Sequence, residues 1–140
     1  MSHSFIGDIG YTIPLILIVT IWVNDTAAYL IGSIIGRTPL SKISPNKTWE
    51  GTIAGIIISV LLVTKIAGQY IPLSEQSIFL ISIVASSAGT LGDLVESKLK
   101  RLAGVKDSGT MMPGHGGFLD RFDSILLATP FVWLLIQLVY

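Results

Sequence analysis

Four apolar stretches, each about as long as a helix that crosses a bilayer, leave this chain little choice of fold. They run over residues 9–35, 49–71, 77–98 and 122–140, interrupted only by short polar groups such as Asn24-Asp25 and by Lys65. A hydrocarbon core of ~30 Å takes ~20 helical residues, so each stretch is long enough to span. Unpaired backbone groups cannot face lipid, and no alternating pattern of a barrel strand is present, so the spans are helices. Of 140 residues, 51% are hydrophobic and 13% charged, against about 25% charged in an average globular chain. The expectation is an all-α integral membrane protein, a single membrane domain over residues 1–140 with about four transmembrane helices and two basic cytoplasmic loops.

Charge sets the orientation and excludes some functions. Nine Lys+Arg balance nine Asp+Glu, so there is no basic field of the kind a nucleic-acid binder uses. With no cysteine, disulfide frameworks, cysteine-ligated zinc, iron–sulfur clusters and thiol nucleophiles are excluded. Arg37, Lys42 and Lys47 fall between spans one and two, and Lys98, Lys100, Arg101, Lys106 and Arg121 between spans three and four. Only Lys65 lies elsewhere, so the positive-inside rule predicts that both loops are cytoplasmic and both ends of the chain external. Tyr11, Tyr70 and Tyr140 then mark the outer interface and Trp49 the inner one. Met1–Asp8 carries no basic residue, unlike the start of a secretory signal peptide. Pro39, Pro45 and Pro72 punctuate helix ends, and Pro130 inside span four predicts a kink.

Carboxylates in the spans converge at one depth. At ~1.5 Å per residue, Asp25 lies ~21 Å inward from Tyr11, while Asp93 from Gln76 and Asp123 from Tyr140 each lie ~25 Å inward. Asp120 reaches the inner rim. Asp93, Glu96, Ser97 and Lys100 stand at i, i+3, i+4 and i+7 on one helical face. Small residues Ser82, Ala85, Ser86 and Gly89 continue that face outward, the pattern that lets helices approach closely. Ionisable groups inside spans point to function, and oxygen ligands from several helices suit a hard divalent cation such as magnesium. The plainer alternatives are capping of span four by Asp120 or Asp123, an ion pair between Asp123 and Arg121, and a pairing of Asp25 with Arg37.

The inner loops add anion-binding chemistry. The second carries Lys98, Lys100, Arg101 and Lys106, then Pro113-Gly114-His115-Gly116-Gly117 ahead of Asp120-Arg121-Phe122-Asp123. Glycines let backbone N–H groups approach an anion, a helix N-terminus adds positive potential, and lysine and arginine bind phosphate. Carboxylates beside such a loop make sense when a metal bridges them to phosphates, as in phosphoryl or nucleotidyl transfer. His115 by itself reads equally as a turn residue, a proton shuttle or a phosphate donor. In the first loop, Ser44-Pro45-Asn46-Lys47-Thr48-Trp49-Glu50-Gly51 places Lys47 for a phosphate, Thr48 as a helix cap and Glu50 in the first helical turn.

The run from Ser97 to Asp123 resembles the signature of the phosphatidate cytidylyltransferase (CDP-diacylglycerol synthase) family. The agreement is at Ser97, Lys100, Arg101, Lys106, Asp107, Gly109, Pro113, His115, Gly116, Gly117, Asp120, Arg121 and Asp123, while Met112 stands where the family has Leu, Ile or Phe. Asp25-Thr26-Ala27-Ala28-Tyr29 with Gly32, Gly36 and Arg37, followed by Ser44 to Gly51, resembles the same family in the same order. The resemblance implies transfer of a cytidylyl group from CTP to phosphatidate, giving CDP-diacylglycerol and pyrophosphate. It also implies magnesium, with potassium beside it, held by Asp93 and Asp120 with Ser97 close by. Beyond the resemblance, Asp25 and Asp123 are expected either as additional ligands or as groups that support the ligands. Asp93, Asp120, Asp123, Lys100, Arg101 and His115 are the expected catalytic residues. Lys47, Lys106 and Arg121 are the expected phosphate contacts, and Gly116 and Gly117 shape the nucleotide loop. The expected setting is the inner (plasma) membrane, multi-pass, with the site facing the cytoplasm and membrane lipids around it. Family members are longer, and the matched region corresponds to their C-terminal half. The expected partners therefore include that missing N-terminal half or a second copy of the chain, and no nucleic acid. Two other readings stay open from the residues alone: a CTP-dependent lipid-alcohol kinase, and a non-catalytic membrane subunit.

Overall fold

The computed structural model describes residues 2–105 and 118–139, with side chains described over residues 10–105 and 122–139. Four helices are present, α1 (Ser2–Ile35), α2 (Trp49–Tyr70), α3 (Glu75–Leu102) and α4 (Phe118–Val139). Each contains a segment long and apolar enough to cross a membrane, so the chain is an all-helical, multi-pass membrane protein. No strand occurs among the described residues. α1 begins before residue 9, α3 runs on past residue 98, and α4 starts a turn before residue 122.

Helix ends follow local chemistry. Thr48 caps α2, its hydroxyl accepting from the Gly51 N–H at 3.2 Å, and Ser74 caps α3 by accepting from the Ser77 N–H at 3.2 Å. Such caps satisfy donors that the first helical turn leaves open. Within the spans, hydroxyls turn back onto the preceding turn. Thr20 Oγ1 donates to the Ile16 carbonyl at 2.6 Å and Ser86 Oγ to the Ser82 carbonyl at 2.7 Å. That bonding lets polar side chains sit in a helix without water. The helices run on across Pro14 in α1 and Pro130 in α4.

α3 is the centre of the bundle, packing against α1, α2 and α4, whereas α1 lies chiefly on α2. The small-residue face expected from the sequence is buried: Ser82, Ala85 and Ser86 are fully enclosed, and Gly89 and Gly92 are buried with them. The apolar core joins Ile16, Leu17 and Ile21 of α1 to Val63, Ile78, Ile81 and Ala85, and then to Ala128 and Val132 of α4. On α2, Ile53, Ile57 and Leu61 point outward at i, i+4 and i+8, an apolar stripe suited to lipid. The α1–α2 crossing is tight because Gly51 and Gly55 face α1. A Cβ on Gly55 would sit 2.8 Å from the Asn24 carbonyl oxygen, so only glycine fits there.

The loop between α1 and α2 is built rather than slack. Pro39 and Thr48 form an antiparallel bridge, with the Leu40 N–H donating to the Lys47 carbonyl at 2.7 Å and the Trp49 N–H to the Thr38 carbonyl at 3.0 Å. Glu50 does more than sit in a first helical turn. Its carboxylate accepts from the Thr38 hydroxyl at 2.9 Å and from the Thr38 and Arg37 N–H groups. This clamp fixes where Lys47 leaves the backbone.

Candidate metal and phosphate site

The site is assembled where α1, α3, α4 and the α1–α2 loop meet. Asp93 lies three turns before the C-terminal end of α3, and Gly92 beside it lets α4 come close. A Cβ on Gly92 would fall 2.8 Å from the Leu127 side chain and 2.9 Å from the Asp123 carbonyl oxygen. The close approach brings Asp123 level with Asp93. One oxygen from each of Asp93, Glu96 and Asp123 falls within 4.8 Å of the others. Oxygens opposed across a magnesium ion at ~2.1 Å stand ~4.2 Å apart, and those around calcium at ~2.4 Å stand ~4.8 Å apart. The spacing of the three oxygens is thus compatible with a hard divalent cation.

Cations of the chain already face these acids. Lys47 Nζ pairs with Asp93 Oδ2, and Lys100 Nζ lies 3.3 Å from Glu96 Oε1. Glu96 is only 5% exposed, which makes a charged partner necessary. Burial draws the pKa of the Lys47 ammonium below the ordinary lysine value, while the carboxylates of Asp25, Asp123 and Glu96 act to raise it. The loop lysine is thus surrounded by acids from three helices.

A cavity of about 510 Å³ opens beside this cluster. Asp25, Lys47 and Asp93 line it together with Asn24, Thr90 and Ser44. Its volume falls within the range of small-molecule sites. The Asn24 amide donates to Thr90 Oγ1 at 3.3 Å, and the Thr90 hydroxyl donates in turn to the Ser86 carbonyl at 2.9 Å. That chain ties α1 to α3 one turn outward of Asp93.

Of the residues expected from sequence, Asp25, Lys47, Asp93 and Asp123 are brought together, and Lys100 reaches the group through Glu96. Ser97 is half-buried next to Glu96, and Arg101 is exposed at the end of α3. Asp123 sits in the second turn of α4, whose first residue is Phe118, so it is not a cap of that helix. Asp25 lines the cavity with Lys47 and acts on its ammonium. The side chains of Asp120 and Arg121, and all of Lys106, His115, Gly116 and Gly117, lie outside the described residues. Glu96 is the functional candidate that a list of motif positions omits, although its i+3 spacing from Asp93 was the available signal.

Four apolar helices thus gather carboxylates and lysines beside a cavity at one end of a membrane bundle. The pattern of the cytidylyltransferase family matches residues 3–139, and the chain belongs to that family. It is 46% identical over 132 residues to the phosphatidate cytidylyltransferase of Bacillus subtilis (strain 168), covering 92% of this chain and 49% of that protein. It is 43% identical over 131 residues to the phosphatidate cytidylyltransferase of Synechocystis sp., covering 92% of this chain and 44% of that protein. With phosphatidate cytidylyltransferase 4, chloroplastic, of Arabidopsis thaliana it shares 44% identity over 120 residues, 84% of this chain and 30% of that one. The chain spans about half the length of the bacterial relatives it matches, 49% and 44%.

Proposed function

We propose that this chain carries the reaction centre of a phosphatidate cytidylyltransferase, transferring CMP from CTP to phosphatidate with release of pyrophosphate. The observation that carries this reading is the convergence of Asp93, Glu96 and Asp123 within 4.8 Å, beside Lys47 and a cavity of nucleotide size. Family membership and relatives that bear this name support it.

Asp93, Asp123 and Glu96 would hold a magnesium ion, with Asp120, Ser97 and Asp25 as further oxygen donors and potassium as the accompanying cation. Bound there, magnesium supplies Lewis-acid neutralisation of the phosphate charge. The chain's own residues do the rest. Lys47, Lys100, Arg101, Lys106 and Arg121 bind and orient phosphates as charge-assisted donors. His115, Gly116 and Gly117, as the family resemblance implies, would shape the nucleotide loop. An oxygen of the phosphatidate phosphate attacks the α-phosphorus of CTP. The new P–O bond forms as the bond to the β-phosphate oxygen breaks, and pyrophosphate leaves. The attacking oxygen is already anionic, so no strong base is needed.

The loops 36–48 and 103–117 face the cytoplasm of the inner (plasma) membrane in this reading, where CTP is available. Completion of the lipid pocket by the missing N-terminal half, or by a second copy of the chain, belongs to the same proposal. The test is transfer from α-labelled CTP to phosphatidate in magnesium, with the chain alone and with the remaining half of a longer relative. Label in lipid is the expected result. Lipid labelled only from γ-labelled CTP would favour a lipid-alcohol kinase, and folded protein that labels no lipid with either nucleotide would refute the reading.

A further inference from the structure

The positive charge at the centre of the acidic cluster is the chain's own. Lys47 Nζ pairs with Asp93 Oδ2, and Asp25, Asp123 and Glu96 act on the same ammonium. An ammonium in contact with Asp93 Oδ2 competes for that carboxylate with any divalent cation held by Asp93 and Asp123. Two cations cannot share one carboxylate oxygen at contact distance without strong repulsion.

The backbone of Lys47 is pinned, its N–H donating to the Ser44 carbonyl at 3.2 Å and its carbonyl accepting from Leu40 at 2.7 Å. Thr48 and Glu50 lock the residues that follow. Movement therefore falls to the side chain, which is 33% exposed and also lines the 510 Å³ cavity. The cavity provides room for the ammonium to swing off Asp93 without unfolding the loop.

We propose that Lys47 is a tethered counter-ion: in the metal-free protein it pairs with Asp93 and shields the carboxylate cluster, and an arriving divalent cation displaces it into the adjoining cavity. This rests on the metal reading above and adds a regulatory step to it. The displaced ammonium is delivered to the space where a phosphate-bearing substrate would lie. By linkage, an anion that captures Lys47 opens the cluster to metal, and metal that expels Lys47 prepares the anion site. The arrangement disfavours loading of either one alone.

The test is acylation of lysines in the purified chain, followed residue by residue by mass spectrometry with and without magnesium. Lys42, exposed on the same loop, is the internal reference. Magnesium is expected to raise the rate at Lys47 about fivefold, the factor by which an ion pair of this kind protects it, and to leave Lys42 unchanged. Manganese binding followed by electron paramagnetic resonance separates the two ideas. Bound manganese with no change in Lys47 acylation overturns the counter-ion proposal and leaves the metal reading intact. Failure of manganese to bind overturns both. In a parallel arm, Lys47→Met is expected to bind manganese about fivefold more tightly and Lys47→Arg about as the parent does. Equal affinity in Lys47→Met and the parent overturns the proposal.

Discussion

Asp93 pairs with Lys47, shares the acidic cluster with Glu96 and Asp123, and lines the cavity. Asp93→Asn keeps the shape and removes the charge. Loss of metal-borne stabilisation worth several kcal/mol predicts a fall in CMP transfer of ~100-fold or more, read from labelled lipid in a folded variant. Glu96 makes a sharper test, because the motif positions omit it while the folded structure places its carboxylate beside Asp93 and Asp123. Glu96→Gln is expected to weaken manganese binding by about tenfold, and it also removes the negative charge 3.3 Å from the Lys100 ammonium. Thr48 belongs to the same scale. Removing its capping hydroxyl in Thr48→Ala is predicted to cost ~1 kcal/mol of stability, measured by thermal unfolding in detergent.

Helices meet here through small residues, so the site depends on backbone separation as much as on its charged groups. Gly92 lets α4 approach α3, and Gly55 lets α2 approach α1. Overpacking such a contact costs ~1–3 kcal/mol. Gly55→Val is predicted to lower the unfolding temperature by that equivalent, since the clash is with the backbone at Asn24. Gly92→Val is predicted to do the same and also to abolish manganese binding, because it drives Asp123 away from Asp93. A variant that loses stability but keeps full metal affinity would refute the second statement. The inner loop is an element in its own right. Its clamp through Glu50 and Thr38 explains how a single lysine on a connection can be held against two helices.

For the whole molecule, alternation of four helices puts the loop 36–48 at the same end as the C-terminal part of α3, as the Lys47–Asp93 pair requires. With no native cysteine, single cysteines report sidedness directly. A cysteine at Lys42 is expected to react with an impermeant thiol reagent only from the cytoplasmic side, and one at Ser74 only from the opposite side. Reversed labelling would refute the proposed orientation.

Hydrophobic length and the placement of basic residues made the four spans legible in the sequence, because a bilayer imposes the same requirement on every helix that crosses it. The depth of Asp25, Asp93 and Asp123 was legible for a related reason: rise per residue converts position into height. Rotation about each helix axis, and the distance between axes, carry no such simple rule. They arise from Gly55 and Gly92 meeting opposing backbone, from the Asn24–Thr90 bond, and from the loop clamp at Glu50. Those contacts, made by residues far apart along the chain, decided that Glu96 joins the cluster and that Lys47 lies across it. Sequence alone determined which groups share a level in the membrane; only tertiary packing decided which of them touch.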